Sequence, residues 1–310
     1  MKSLITGAAG FVGRYLAQEL EISGYEVIAA KLPFENIDFK CSAVYDLDIT
    51  KPADIVNTLE SVKPDVIFHL AAQSSVAVSW KSPHTTMEVN VCGVVNLLEA
   101  VRDVCPSACV LLVGSSEEYG LAGEENTAIN EDIYVKPCNI YAVSRATQNM
   151  LGRVYADSYN MNVMMTRSFN HIGVGQASSF VISDFCRQVA EIEREIKLPE
   201  MYVGNIKTSR DFSDVRDVVK AYRIITEKGT KGCTYNVGSG KLITIENVLE
   251  TIIGFASKDV AVKIDPGKYR PSDTPPLKAD TTLLKALGWK PEYSIEQSLH
   301  DMYIHWYNSI

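Results

Sequence analysis

Short apolar runs alternate with amphipathic stretches along the first half of the chain. Lys2–Thr6 reads as a short buried strand, residues 7–13 as a glycine turn, and the following stretch as a helix. Its Leu16, Ala17 and Leu20 share one face, and it ends before Gly24. Residues 25–30 form a second strand. The alternation goes on with a strand at 43–45, a helix at 51–62 capped by Thr50, and an apolar strand at 65–70. A long helix at 84–104 follows Pro83, and then come strands at 110–113 and 163–166. Between those strands Pro137 cannot lie inside a helix and Asn139 is a good N-cap, so a helix starts at Ile140. Apolar strands of four to six residues separated by helices predict an α/β fold of the Rossmann type, a doubly wound parallel sheet covered on both faces.

Beyond Arg167 the period loosens. Residues 168–175 are turn-rich, 180–195 and 215–227 are helical, and 201–212 are short and mixed. A strand at 235–237, a helix at 245–256, a proline-rich connection at 266–276 and short helices complete the chain. The expected division is a Rossmann domain at 1–167, with 211–238 returning to it, and a smaller C-terminal domain from 168–210 and 239–310. A length of 310 residues suits two lobes.

Composition narrows the function classes. With 38 acidic and 30 basic residues the net charge is −8, which argues against a nucleic-acid or anionic-membrane surface. No apolar run is long enough to span a bilayer, and no basic stretch with a cleavage site opens the chain, so a cytoplasmic protein is expected. The seven cysteines form no Cys-x-x-Cys pair, and the five histidines have no metal-ligand spacing. Reduced thiols and no metal are expected.

The chemistry begins at the first turn. Strand, glycine turn (Gly7, Gly10, Gly13), helix and strand make a dinucleotide-binding unit. The glycines let the backbone approach a pyrophosphate, and the helix start offers free N–H groups. Ligands of such sheets lie beyond the carboxyl ends of the strands, where Gly7, Ala71, Ser115 and Arg167 all fall. An NAD-selective site carries Asp or Glu at the end of the second strand. Here that end reads Ala29-Ala30-Lys31-Leu32, which favours NADP(H), with Lys31 or Arg14 available to a 2′-phosphate. Downstream, Tyr141 and Arg145 stand four apart on one helix face, and a nearby cation favours a phenolate. Alone, that pair is better read as an ordinary amphipathic helix with one Tyr and one Arg on a wet face.

Together the motifs carry more. Thr6-Gly7-x-x-Gly10-Phe11-x-Gly13, Asp48-Ile49, His69-Leu70-Ala71-Ala72, Ser115-Ser116-Glu117-x-Tyr119-Gly120 and Tyr141-x-x-x-Arg145 resemble the extended short-chain dehydrogenase/reductases, which act largely on nucleotide sugars. The resemblance implies Ser115 and Tyr141 as catalytic hydroxyls, with Arg145 where the family has lysine. It implies a coenzyme site of Gly7, Gly10, Phe11, Val12, Gly13, Lys31, Asp48, Ile49, Leu70, Ala71, Ala72, Tyr141 and Arg145. Asp48 then flanks the adenine, or else caps the turn before Thr50.

Further motifs resemble the GDP-6-deoxy-4-keto-mannose reductases and, close to them, the GDP-mannose 4,6-dehydratases. They are Arg167-Ser168-Phe169-Asn170-His171, Phe180-Val181-x-x-Asp184-Phe185, Arg210-Asp211-Phe212-x-Asp214-Val215-Arg216-Asp217 and Arg270-Pro271-Ser272-Asp273. They imply a GDP-linked sugar substrate held by Ser74, Ser116, Asn170, Val181, Arg210, Arg270 and Asp273 in a nucleotide-sugar-binding second domain. The expected reaction is NADPH-dependent reduction of a 4-keto group. A 4,6-dehydratase with Glu117 as base, a 4-epimerase, and a coenzyme-binding sensor are the alternatives. Glu117 is either that base or a polar group orienting the sugar, and Trp80 and His171 line the pocket or serve the structure. The family analogy also implies a homodimer. Arginine cannot pass protons as lysine does, so the departure at 145 predicts a slowed enzyme that Arg145→Lys speeds up.

Overall fold

The computed structural model describes residues 1–123, 127–268 and 275–310. The chain opens with β1 (Lys2–Thr6), α1 (Phe11–Ile22), β2 (Glu26–Lys31), β3 (Ala43–Asp46), α2 (Pro52–Val62) and β4 (Val66–His69). Then come α3 (Val76–Lys81), α4 (Pro83–Met87), a π-helical stretch Glu88–Cys92, α5 (Gly93–Val104) and β5 (Cys109–Ser115). A 3-10 turn at Ser116–Tyr119 leads to β6 (Ala128–Ile129), α6 (Ile140–Ser158), β7 (Val163–Ser168) and β8 (Asn170–Ile172). Next are α7 (Val181–Glu193), β9 (Glu200–Val203), β10 (Ser209–Asp214), α8 (Val215–Lys228) and β11 (Thr234–Val237). The last are β12 (Leu242–Thr244), α9 (Ile245–Ile253), β13 (Ala261–Ile264), β14 (Lys278–Ala279), α10 (Thr282–Ala286) and α11 (Ile295–Ser309).

Seven parallel strands form the main sheet in the order β11-β7-β5-β4-β1-β2-β3. Successive strand residues point to opposite faces, so Leu4, Ile67 and Leu112 enter one core while Ile5, Phe68 and Leu111 enter the other. One core is closed by α2, α5 and α6, the other by α1 and α8. The strand order reverses between β1 and β4, which opens a crevice at their carboxyl ends. A separate core joins α7, α9 and α11 through Phe185, Val189, Val248, Leu249, Leu299 and Met302. Among the described residues no helix is long and apolar enough to cross a membrane.

Three local expectations change. The helix expected at 84–104 is broken by the π-helical stretch, whose Asn90 is fully buried and hydrogen-bonds outside its own helix. Helix α2 starts at Pro52 with Lys51 at its N-cap, since proline suits the first helical position, where its missing N–H costs nothing; Thr50 bonds Asp48 instead. The short α10 is followed by α11, a final helix of 15 residues, where short helices alone were expected.

The 210–217 motif turns out to be largely architectural. Asp211 is fully buried and accepts from Ser239 N (2.8 Å), Ser239 Oγ (2.6 Å), Gly240 N (2.9 Å) and Ala279 N (3.0 Å). Asp214 caps α8 and receives Ser298 Oγ at 2.6 Å, and Asp217 receives the backbone N–H groups of Glu292 and Tyr293. These carboxylates fold the C-terminal segments onto β10 and α8. Asp211→Ala leaves four donors without their acceptor, and we expect a loss of at least about 3 kcal/mol of stability in chemical denaturation. A loss below about 1 kcal/mol contradicts this role.

Candidate active site

The glycine turn has the shape that the sequence suggests, for reasons the coordinates make explicit. Gly7 sits at φ +68°, and a Cβ there would lie 2.7 Å from the Ala71 backbone, across the crevice between β1 and β4. A Cβ on Gly13 would lie 2.1 Å from the Ala8 carbonyl oxygen, so α1 can pack on the turn only with glycine there. Gly10 is the N-cap of α1; it is exposed and gives no side-chain cap, so the first N–H groups of the helix stay open to a ligand. A dinucleotide's pyrophosphate fits this start. Leu70 and Ala71 hold the opposite wall through Leu70 N to Thr6 O (3.1 Å) and Ala71 N to Thr6 Oγ1 (3.4 Å), with Ala72 next along it. Val12 is half-buried on α1. Phe11 stacks on His171 at 6.2 Å with the rings 5° apart, and Tyr15 Oη donates to Val174 O at 2.8 Å. The turn thus touches the segment after β7 directly. His171 is a structural ring here, bonded through Nδ1 to Phe169 O.

The carboxyl ends of β2 and β3, where the adenosine was expected, are more crowded with charge than the sequence suggests. Lys31 Nζ lies 2.6 Å from Asp46 Oδ1, and Arg14 Nη2 lies 3.3 Å from Asp38 Oδ2. Asp48 Oδ1 accepts from both Thr50 N and Thr50 Oγ1, which is the turn-capping role. Ile49 packs against the start of α5 where a Cβ on Gly93 would meet it at 2.8 Å.

Ser115 ends β5. Its Oγ accepts the Glu117 N–H (3.2 Å), and its own N–H donates to Glu118 Oε1 (3.1 Å). Glu118 is fully buried and pairs through Oε2 with Arg167 Nε at 3.0 Å; Arg167 in turn donates to Tyr119 Oη and Glu131 O. Burial pushes the Glu118 carboxyl up to about 7, against the pull of Arg167. Asn139 caps α6 by accepting the Ala142 N–H at 2.8 Å, and its Nδ2 donates to Glu117 Oε2 at 3.2 Å. Arg145 Cζ stands 5.4 Å from the centre of the Tyr141 ring. Its Nη1 donates to Val113 O (3.2 Å) and Gln148 Oε1 (2.8 Å), while Gln148 Nε2 also donates to Val113 O (2.9 Å). Burial, followed by the charge of Arg145, lowers the His69 pKa to about 3, so this ring stays neutral beneath the site. Asn90 bridges Gln73 O and Ser144 Oγ, and Ser144 Oγ donates to Tyr141 O, which ties α6 to the loop after β4.

The same ends line a narrow cleft with Ser116, Glu117, Phe169, Asn170, Arg210, Pro275 and Leu277. Asn170 on β8 and Arg210 on β10 arrive there because the two strands pair, Phe212 facing Asn170. Arg210 Nη1 donates to Ser209 O at 2.8 Å. Ser74 and Val181 are exposed, do not line this cleft, and Trp80 on α3 is exposed as well. Arg270 and Asp273 lie outside the described residues. A wider hollow of about 320 Å³, lined by Thr50, His84, Met87, Glu88, Cys92 and Asn96, holds none of the catalytic candidates. All seven cysteines are free thiols, and among the described residues no group of three or more His, Cys, Asp or Glu could hold a metal.

Gln148, Glu118 and Asn90 were not singled out from the sequence. Gln148 had a signal, since it stands three residues after Arg145 on the same helix face. Asn90 had none, because its direction depends on the π-helical register.

The family model for GDP-mannose 4,6 dehydratase matches residues 4–302. The GDP-6-deoxy-D-mannose reductase of Pseudomonas aeruginosa is 32% identical over 97% of this chain and 96% of its own. A GDP-mannose 4,6-dehydratase of Vibrio cholerae is 28% identical over 97% of this chain and 92% of its own. A solved structure of RMD from Pseudomonas aeruginosa, complexed with NADPH, superposes with a TM-score of 0.89 at 31% identity, covering 100% of this chain and 99% of that one.

Glu118 generates a stability prediction. Its folded pKa is raised from the ordinary 4.5 to about 7, so the native state keeps a proton that the unfolded chain releases. Its contribution is therefore present below about 4.5 and lost as pH rises through about 7. Glu118→Gln should flatten the stability profile in that window, measured by thermal melts at stepped pH. An unchanged slope contradicts the assignment.

Proposed function

The chain belongs to the GDP-mannose 4,6 dehydratase family, and from that membership we propose that it reduces the 4-keto group of a GDP-4-keto-6-deoxy-hexose with NADPH. The type reaction is GDP-4-keto-6-deoxy-mannose to GDP-rhamnose or its 4-epimer. The observation that carries this reading is the continuity between Ser115 at the end of β5 and the cleft of Ser116, Glu117, Asn170 and Arg210. A reducing centre beside an arginine-bearing cleft suits a sugar tethered to a diphosphate. Its support among relatives is the reductase at 32% identity.

Each residue has a task. Bound NADPH supplies the hydride. Gly7, Gly10, Phe11, Val12 and Gly13 hold its pyrophosphate, Leu70, Ala71 and Ala72 the facing wall, and Lys31, Asp48 and Ile49 the adenosine end. Tyr141 gives a proton to the oxygen at C4 as negative charge develops there. Ser115 Oγ already accepts from Glu117 N–H, so its own hydrogen is available to the same oxygen. Arg145 keeps a fixed positive charge beside Tyr141 and the nicotinamide ribose. The Arg210 fork, with Asn170, takes the diphosphate, and Arg270 and Asp273 complete that side. Ser74, Ser116 and Val181 contact the sugar nucleotide from the rim. An apolar stripe on α6 (Val143, Met150 and Val154) supports a homodimer.

A 4,6-dehydratase is the second reading, favoured by Glu117 lining the cleft with Asn139 holding its carboxylate. That reaction, like 4-epimerisation, returns the coenzyme to its starting state. Following reduced-nicotinamide absorbance with GDP-4-keto-6-deoxy-mannose separates them. Stoichiometric loss is expected, and no net oxidation sinks the reductase reading.

Two variants extend the test. Tyr141→Phe should lower kcat by about 10²–10⁴-fold. The Gln148 network alters the expectation for Arg145→Lys. Lysine is the shorter side chain, so its ammonium loses reach to the two acceptors that Arg145 Nη1 holds, and turnover should fall about tenfold rather than rise. Faster turnover means the arginine is a handicap after all.

A further inference from the structure

Each cation at the carboxyl end of β2 or at the start of α1 already has a carboxylate. Lys31, the last residue of β2, is in register with Asp46, the last of β3, and their side chains meet at 2.6 Å. The ammonium is held inward, with 13% of its side chain exposed, while Asp46 is 58% exposed and faces outward. The Lys31 Nζ also donates to Leu32 O at 3.2 Å, so it points along the strand end rather than into solvent. Arg14 on the first turn of α1 has Asp38 for a partner. Glu35 completes the rim, accepting the Leu32 N–H at 2.9 Å. Three carboxylates therefore ring an end that, read along β2 alone, carries only a lysine.

This arrangement bears on coenzyme choice. A 2′-phosphate carries between one and two negative charges, and it can approach Lys31 only by displacing Asp46 or by lying against it. The 2′-hydroxyl of NAD(H) meets no such repulsion, and it can donate a hydrogen bond to the Asp46 carboxylate. We propose that Asp46 is the residue that sets the coenzyme ratio of this protein, by occupying the lysine that a 2′-phosphate needs. Selectivity for NADP(H) is thereby restrained, and NAD(H) remains a competitor. The inference rests on the dinucleotide site of the proposed function and adds to it a determinant on β3, one strand beyond the position that usually decides.

The test needs no sugar substrate. NADP⁺ and NAD⁺ are titrated separately by calorimetry into the wild-type chain, Asp46→Asn and Lys31→Ala, with thermal melts to check folding. Asp46→Asn removes an outward-facing charge from a surface ion pair, and it should tighten NADP⁺ binding about fivefold while leaving NAD⁺ within about twofold. Lys31→Ala should weaken NADP⁺ by a similar factor and spare NAD⁺. A ratio that Asp46→Asn leaves unmoved, or shifts toward NAD⁺, overturns the inference alone. A folded wild-type chain that binds neither coenzyme overturns both it and the proposed function.

Discussion

Arg145 donates from one nitrogen to the carbonyl of Val113 and to Gln148, and through that nitrogen α6 is fastened to the carboxyl end of β5. Arg145 is buried and its Nε has no partner among the described residues, so the two Nη1 bonds are what meet its charge, and the helix cannot slide without breaking them. Val113 precedes Ser115 by two residues, and Arg145 follows Tyr141 by one turn. The tether therefore constrains where the Tyr141 and Ser115 side chains stand relative to each other. Two further ties act in the same direction: Asn139 joins the helix start to Glu117, and Asn90 joins Ser144 to the loop after β4. All three ties join α6 to the carboxyl ends of the neighbouring strands.

The glycine turn and the cleft are joined by equally direct contacts. Phe11 at the glycine turn stacks on His171, one residue beyond Asn170 of the cleft. Glu118 holds the Ser115 backbone from below and binds Arg167 on the neighbouring strand, so β5 and β7 present their ends as one surface. Gly114 makes room for that carboxylate, since a Cβ there would lie 2.5 Å from Glu118 Oε1. The charges of the site thus divide into those that build the frame and those left to meet ligands.

Much of this was legible in the sequence wherever a feature is local. The glycine turn, the strand ends carrying Ala71 and Ser115, and the start of α6 behind Asn139 follow from hydrophobic period, proline and capping alone. What escaped depends on partners distant along the chain. The carboxylates of the 210–217 motif carried no assignment in the sequence, because Asp211, Asp214 and Asp217 face segments beyond residue 238. Lys31 read as a lone cation because Asp46 reaches it only through strand pairing. The departure at 145 was visible as a change of residue type, whereas Gln148, which accommodates it, acquires meaning only once both side chains converge on Val113.

In the proposed reaction, hydride would reach C4 of a GDP-linked 4-keto sugar and Tyr141 would give the proton. Mass and NMR analysis of the product formed from NADPH deuterated at the transferable C4 position addresses it most directly. The account predicts one deuterium, carried at C4 of the reduced sugar, in step with coenzyme consumed. Product without deuterium at C4, or sugar turnover with the label retained on the coenzyme, would contradict it.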